Sequence, residues 1–453
     1  MNVLRVANCS GFYGDRLSAA REMVDGGPVD VLTGDWLAEL TMGILGRQRL
    51  KDPDAGYART FVTQLEDVLG DCLSRGIKIV SNAGGLNPAA CAARVSAIGE
   101  RLGRPVRVAV VTGDDAASAF RAHRASGWAA PHLDTGSPMP GEPLVVNAYL
   151  GAWGIAAALA AGADVVVTGR VTDASLVVGP AIWAHGWGPH DLDRLAGAVV
   201  AGHVVECGAQ CCGGNYAFFE EVPGLDHVGF PLVEVAADGS SVVTKHPGTG
   251  GAVTVGTVTA QLLYEIGGPR YLSPDAVARF DTVALDQVGP DRVRISGVRG
   301  EPPPPALKVA ANVAAGWRNA VTFVLTGAQV EAKARAAEAA VRAELPGGGA
   351  AFDEWSAELS GDRSGGGVAT LRLAVRGGDP VAVGRAFSQA AVGTSLATYP
   401  GAFTTAAPTG AQEVARFWPI AVDAGRVVPE VLLDGAPVGP LPAWWAGAAP
   451  AAA

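Results

Sequence analysis

The chain has 453 residues, 49% hydrophobic and 17% charged, a composition that excludes a disordered protein and at this length implies more than one domain. Its formal net charge is −10 and no Lys/Arg block stands out, which excludes the basic face a nucleic-acid partner requires. Six cysteines are too few for a disulfide scaffold, no apolar run reaches the roughly 18 residues of a membrane span, and the N-terminus lacks signal-peptide zones, so a cytoplasmic location with no membrane partner is expected.

Residues 3–8 read as a strand, and the turn Asn8-Cys9-Ser10-Gly11 leads to a helix over Asp15–Asp25. Pro28–Leu32 is the second strand, followed by Thr33-Gly34-Asp35 and a helix from Trp36 to Leu45. A helix over Tyr57–Arg75 closes on Gly76, a C-cap residue type. Strand Ile77–Val80 passes through Ser81-Asn82-Ala83-Gly84-Gly85 into a helix over Pro88–Leu102, where proline suits the first turn. Strand Val106–Val111 ends in Thr112-Gly113-Asp114-Asp115, and Ala129–Glu142 reads as a loop. A helix over Ala148–Ala161 and strand Asp164–Thr168 lead to the turn Thr168-Gly169-Arg170. This repeated order of strand, polar turn and helix predicts an α/β fold, with an N-terminal doubly wound, mostly parallel sheet over residues 1–228.

The pattern changes near residue 230. Leu232–Val235, Ser241–Lys245, Thr282–Leu285, Arg292–Ser296 and Ala306–Asn312 alternate or are β-branched and predict antiparallel strands. With strands at Ala320–Thr326 and Val368–Arg376 and helices at Gln329–Glu344 and Pro380–Thr394, residues 229–430 predict a smaller α+β domain. Residues 431–453 read as a flexible tail.

Ligands of an open parallel sheet lie beyond the carboxyl ends of its strands, so the polar turns are the candidate site. In Ser81–Pro88 the backbone N–H groups and the amides of Asn82 and Asn87 suit an anion or carbonyl oxygen, with Gly84 and Gly85 giving close approach; a tight turn needing glycine is the plainer alternative. The spacing matches neither a Walker A loop nor a dinucleotide fingerprint. Ser10, Tyr13, Asp15 and Arg16 form a second substrate-binding group, unless Asp15 simply caps its helix. Asp35 and Asp173 are acid/base candidates, and Arg170 can clamp a carboxylate or phosphate, or pair with Asp173. The segment from His203 to Asn215 gathers His, Glu and three Cys without the paired spacing of a zinc site, so no metal ligands are assigned. Glu206 and Cys207 are catalytic candidates there, with inert buried cysteine as the alternative. In Lys245–Gly251, Lys245 and Gly250 suit an anion and His246 suits general acid/base work.

The segments 9–16, 30–35, 81–88, 167–175, 206–210 and 245–251 together resemble the acyclic terpene utilisation (AtuA-type) family, a resemblance extending from residue 3 to about 420. That family takes its name from the degradation of terpenes such as citronellol and geraniol, which proceeds through CoA thioesters. The resemblance implies an enzyme acting on a branched acyl-CoA or related carboxylate, with lyase- or hydratase-type C–C or C–O bond chemistry through an enolate. It implies an anionic small-molecule substrate and no cofactor beyond coenzyme A as part of that substrate. The family offers no accepted catalytic residues, so the site rests on the residues themselves. A non-catalytic ligand-binding or assembly subunit that needs a partner protein is the alternative, and a homo-oligomer is expected in either case.

Overall fold

Short apolar strands stacked side by side form the spine of the first unit. The computed structural model describes residues 3–364, 366–439 and 441. In chain order it shows β1 (Val3–Asn8), α1 (Ala19–Asp25), β2 (Val31–Gly34), α2 (Glu39–Lys51), α3 (Arg59–Arg75), β3 (Lys78–Ser81), α4 (Pro88–Arg101) and β4 (Val108–Thr112). There follow α5 (Ala117–Ala125), β5 (Pro143–Ala148), α6 (Trp153–Ala160), β6 (Val165–Thr168), α7 (Ser175–His185), α8 (Leu192–Val205), β7 (Pro231–Ala236), β8 (Ser241–Lys245) and α9 (Val255–Leu262). β1, β2, β3, β6 and β4 pair in that order, all parallel. Their sequences are near-continuous apolar runs, as burial on both faces demands, and β2 and β6 are wholly buried. Leu32, Ile79 and Val167 from the sheet share one core with Phe61, Leu65 and Val68 of α3 and Val95 of α4. Gly76 ends α3 at φ 69°, the left-handed cap its position predicted.

Antiparallel strands extend this sheet on both sides, giving a mixed sheet of eleven strands. β7 pairs with the free edge of β1, β8 with β7, and Arg292–Ser296 with β8. On the other edge Glu430–Leu433 pairs with β4. The strands expected to open a second domain at residue 229 therefore belong to the first sheet. The same edge pairing replaces the tail expected from 431: Leu432 and Leu433 sit in a strand, Ala436–Pro437 forms another, and residues 440 and 442–453 lie outside the described residues. The helix expected over 148–161 is shorter, because β5 runs through Ala148 before α6 begins at Trp153.

The compact units divide the chain elsewhere. The first takes the chain up to 139, 144–312 and from 417 on; the second takes 140–143 and 313–416. In the second unit, Val368–Gly377 lies between Glu354–Gly361 and the later part of the long strand Ala306–Thr326, all antiparallel. The helix Val330–Ala343 buries Val330, Ala334, Ala337 and Val341, a stripe at helical spacing, against Phe323, Leu371 and Leu373. Among the described residues no helix is long and apolar enough to cross a membrane.

Candidate functional site

Asp35 follows β2 directly. Its backbone N–H donates to the Ser10 carbonyl at 2.8 Å, which ties the turn after β2 to the turn after β1. Its Oδ1 accepts from the Leu37 N–H at 2.9 Å and from Asn82 Nδ2 at 2.6 Å, while Asn82 Oδ1 accepts from the Trp36 N–H at 2.9 Å. Burial, and secondarily the charge of Asp173, push the Asp35 carboxyl well above its ordinary range, against the opposing pull of Arg170. Its surroundings therefore favour the protonated form of Asp35 over the carboxylate.

Arg170 follows β6, and its backbone N–H donates to Asp114 Oδ2 at 2.8 Å; Asn147 Nδ2 donates to the same oxygen at 2.8 Å. The guanidinium is only 3% exposed. Its Nη1 donates to the Leu37 carbonyl and to Asp173 Oδ1, both at 2.8 Å, and its Cζ stands 4.3 Å from the centre of the Tyr149 ring. The Tyr149 hydroxyl donates to Glu39 Oε1 at 2.6 Å, and Lys308 Nζ lies 3.5 Å from that oxygen. Arg170 Nε is buried with no hydrogen-bond partner.

Glu206 sits where α8 ends, and the Asn8 side chain fixes that end by donating to the carbonyls of Val205 at 2.7 Å and Glu206 at 3.0 Å. Oε1 of Glu206 lies 3.3 Å from His203 Nδ1, and the His203 ring packs on Tyr271 and Phe280. Burial raises Glu206 to about 7; His203 opposes the rise and the Asp173 charge adds to it. Its Oε2 is buried with no hydrogen-bond partner. Asp173 is thus the common neighbour: it bonds Arg170 and raises the proton affinity of both Asp35 and Glu206.

A family model described as Acyclic terpene utilisation family protein AtuA matches residues 4–433. The chain belongs to the acyclic terpene utilisation (AtuA) family. No curated protein and no solved structure matches it significantly.

In this AtuA-family chain the strand-end acids and Arg170 come together, and several other predicted residues serve the fold. In the turn after β3, three of the N–H groups are occupied: Ala83 donates to Ser81 Oγ, Gly85 to the Asn82 carbonyl and Leu86 to the Gly56 carbonyl. A Cβ on Gly84 would press on the Thr168 carbonyl and on Pro88, so this glycine answers a close backbone approach. Asn87 caps α4 through the Ala90 N–H and reaches the carbonyls of Pro53 and Ala55. Ser10 Oγ donates to the Phe12 carbonyl, the Tyr13 side chain packs on the core, Asp15 accepts from the Gly11 and Arg16 N–H groups, and Arg16 pairs with Glu22 at 2.7 Å.

Lys245 donates to the Thr249 carbonyl at 2.7 Å and pairs with Asp291 at 3.2 Å. His246 lies 3.0 Å from the Met23 carbonyl, with its ring against Gly26 and its proton affinity lowered by burial. A Cβ on Gly250 would meet the carbonyls of Gly224 and His227. None of these partners belongs to the Asp35–Arg170 cluster. Cys207 is near Glu206, and burial first and then the Glu206 charge push its thiol far up, which disfavours the thiolate. Among the described residues no group of three or more His, Cys, Asp or Glu side chains is placed to hold a metal ion.

Asn8 and Asp114 stood in the polar turns without an assigned role, and sequence reading did not single out Glu39, Tyr149, Tyr271 or Lys308. Glu39 had a local signal, standing four residues after Asp35 on the first turn of α2. Tyr149 and Lys308 had none, because their place beside Arg170 depends on chain far away in sequence.

Proposed function

We propose that the chain is a general acid–base enzyme acting on a branched acyl-CoA or related carboxylate, making or breaking a C–C or C–O bond through an enolate. One observation carries this reading. Two buried polar atoms without hydrogen-bond partners, the acceptor Glu206 Oε2 and the donor Arg170 Nε, belong to groups that share Asp173 as neighbour. Orphaned buried polar atoms are rare and costly, on the order of 1–3 kcal/mol each, and a bound carbonyl substrate with an acidic C–H would engage both.

In this mechanism Glu206, poised near neutral pH, takes the proton from the carbon beside the carbonyl. The developing oxyanion receives the Asp35 O–H and the Arg170 guanidinium, donors fixed beforehand in a dry setting. Asp35 is the donor because burial holds its carboxyl well above the ordinary range. Asp173 and Tyr149 orient Arg170, and His203 orients Glu206. In the C–O case Glu206, once protonated, gives that proton to the departing β-hydroxyl, which leaves as water. In the C–C case it takes the β-hydroxyl proton instead, the Cα–Cβ bond breaks as the new carbonyl forms, and the proton returns to the α-carbon of the released enolate. The family's link to acyclic terpene utilisation supports a branched acyl thioester as substrate.

The purified chain mixed with a panel of branched hydroxyacyl-CoA thioesters, followed by mass spectrometry, tests the proposal. Conversion of at least one thioester, reduced 100-fold or more in Glu206→Gln, is expected. Activity that appears only after a second pathway protein is added would favour the assembly-subunit reading.

A further inference from the structure

The sheet of the second unit has one face packed on helices and one face that carries arginine. Its core face presents Val321, Phe323, Leu371 and Leu373. Alternation along the strands sends their neighbours to the opposite side. There the register sets Arg318, Arg376 and Glu354 in one row across three strands, Ala320, Ala374 and Ser356 in the next, and Thr322, Arg372 and Glu358 in the third. The middle row of small side chains is the floor of a cleft of about 350 Å³, and Arg318, Arg372 and Arg376 are among its walls.

The charge arrangement has no explanation in folding. Arg318 lies directly opposite Arg376, and like charges facing each other across a strand pair are destabilising. Only Arg376 has a carboxylate, Glu354 at 3.3 Å, and it also donates to the Ala315 carbonyl. Glu358 is opposite Arg372 in register, yet among the described residues neither Arg372 nor Arg318 makes an ion pair. A chain of net charge −10 thus gathers three guanidinium groups over a floor of alanine and serine, with one ion-paired carboxylate, Glu354, among the cleft's lining residues.

We propose that this cleft binds a phosphorylated small molecule. Guanidinium forks match phosphate oxygens two at a time, which a lone ammonium cannot do. Ser356 on the floor and Gln412, which also lines the cleft, add neutral donors. The volume falls within the range of small-ligand sites, roughly 300–1,000 Å³, and suits a diphosphate or phosphate ester. Three arginines in one cleft are too few for the extended counterion release that holds a nucleic acid. The inference stands apart from the acid–base chemistry of the first unit and does not depend on it.

Titration calorimetry of the full chain with pyrophosphate tests it. One-to-one binding is expected, weakened tenfold or more in Arg318→Gln/Arg372→Gln. Glu354→Gln frees Arg376 from its competing carboxylate and is expected to tighten binding several-fold, a gain that a misfolded variant cannot mimic. No binding, binding unchanged in the double variant, or weaker binding in Glu354→Gln overturns the proposal. So does tighter binding of a single-stranded RNA oligonucleotide than of pyrophosphate.

Discussion

Replacing Glu206 with glutamine should flatten this protein's loss of stability with rising pH. Burial raises Glu206 from an ordinary 4.5 to about 7, so the folded chain holds a proton that the unfolded chain has already released. Stability from that proton is complete below about pH 4.5 and is lost as pH rises through about 7. The interval corresponds to about 3 kcal/mol at full ionisation. His203, whose affinity for a proton Glu206 raises against the effect of burial, loses its stabilising share over rising pH as well. The amide side chain of the Glu206→Gln variant stays neutral throughout and carries none of the first term. Melting temperatures of the two proteins by calorimetry, from pH 5 to pH 8, supply the assay. Near pH 5 the two should differ by less than about 1 kcal/mol, and by about pH 8 the glutamine variant should be the more stable. Parallel curves across that range would refute the claim that Glu206 is buried with a raised proton affinity.

Asp35→Asn should cost under about 1 kcal/mol, since a neutral amide oxygen can still accept from Leu37 and Asn82, whereas Asp35→Ala strands both donors and should cost about 2–3 kcal/mol by denaturant titration. Gly84→Ala should lower stability by about 1–3 kcal/mol because the added methyl meets the Thr168 carbonyl and Pro88; an unchanged unfolding midpoint would instead reopen that turn as a ligand cradle. Cys207 should react with iodoacetamide at pH 8 far more slowly than a free thiol, and Cys207→Ser should keep its activity; rapid labelling would restore it as a nucleophile.

The parallel strands were legible because each is a short apolar run followed by a polar turn. β1 matches its predicted span, and β2, β3, β4 and β6 keep their places within a few residues. Membership of β7 and β8 was not legible. A strand that joins an open sheet edge antiparallel has the same sequence pattern as one that opens a new domain, and only its partner decides. Asp35, Arg170, Asp173 and Glu206, singled out because acids and an arginine stood at strand or helix ends, lie close together in the fold. The turn after β3 keeps two readings for a physical reason: glycine serves close backbone packing as well as ligand approach, and the Thr168 carbonyl that Gly84 packs against belongs to a second turn far along the chain. His246 and Lys245 read as chemistry because His and Lys beside glycines resemble an anion site, but the carbonyls of Met23 and Thr249 already engage them.

The most direct measurement of the central claim is exchange of the carbon-bound proton beside the thioester. The full chain is incubated in deuterated water with branched acyl-CoA and hydroxyacyl-CoA thioesters, and deuterium uptake is read by mass spectrometry. The acid–base account predicts uptake with the native chain that falls 100-fold or more in Glu206→Gln. Equal uptake by both proteins, or none by the native chain over the whole set, would contradict it.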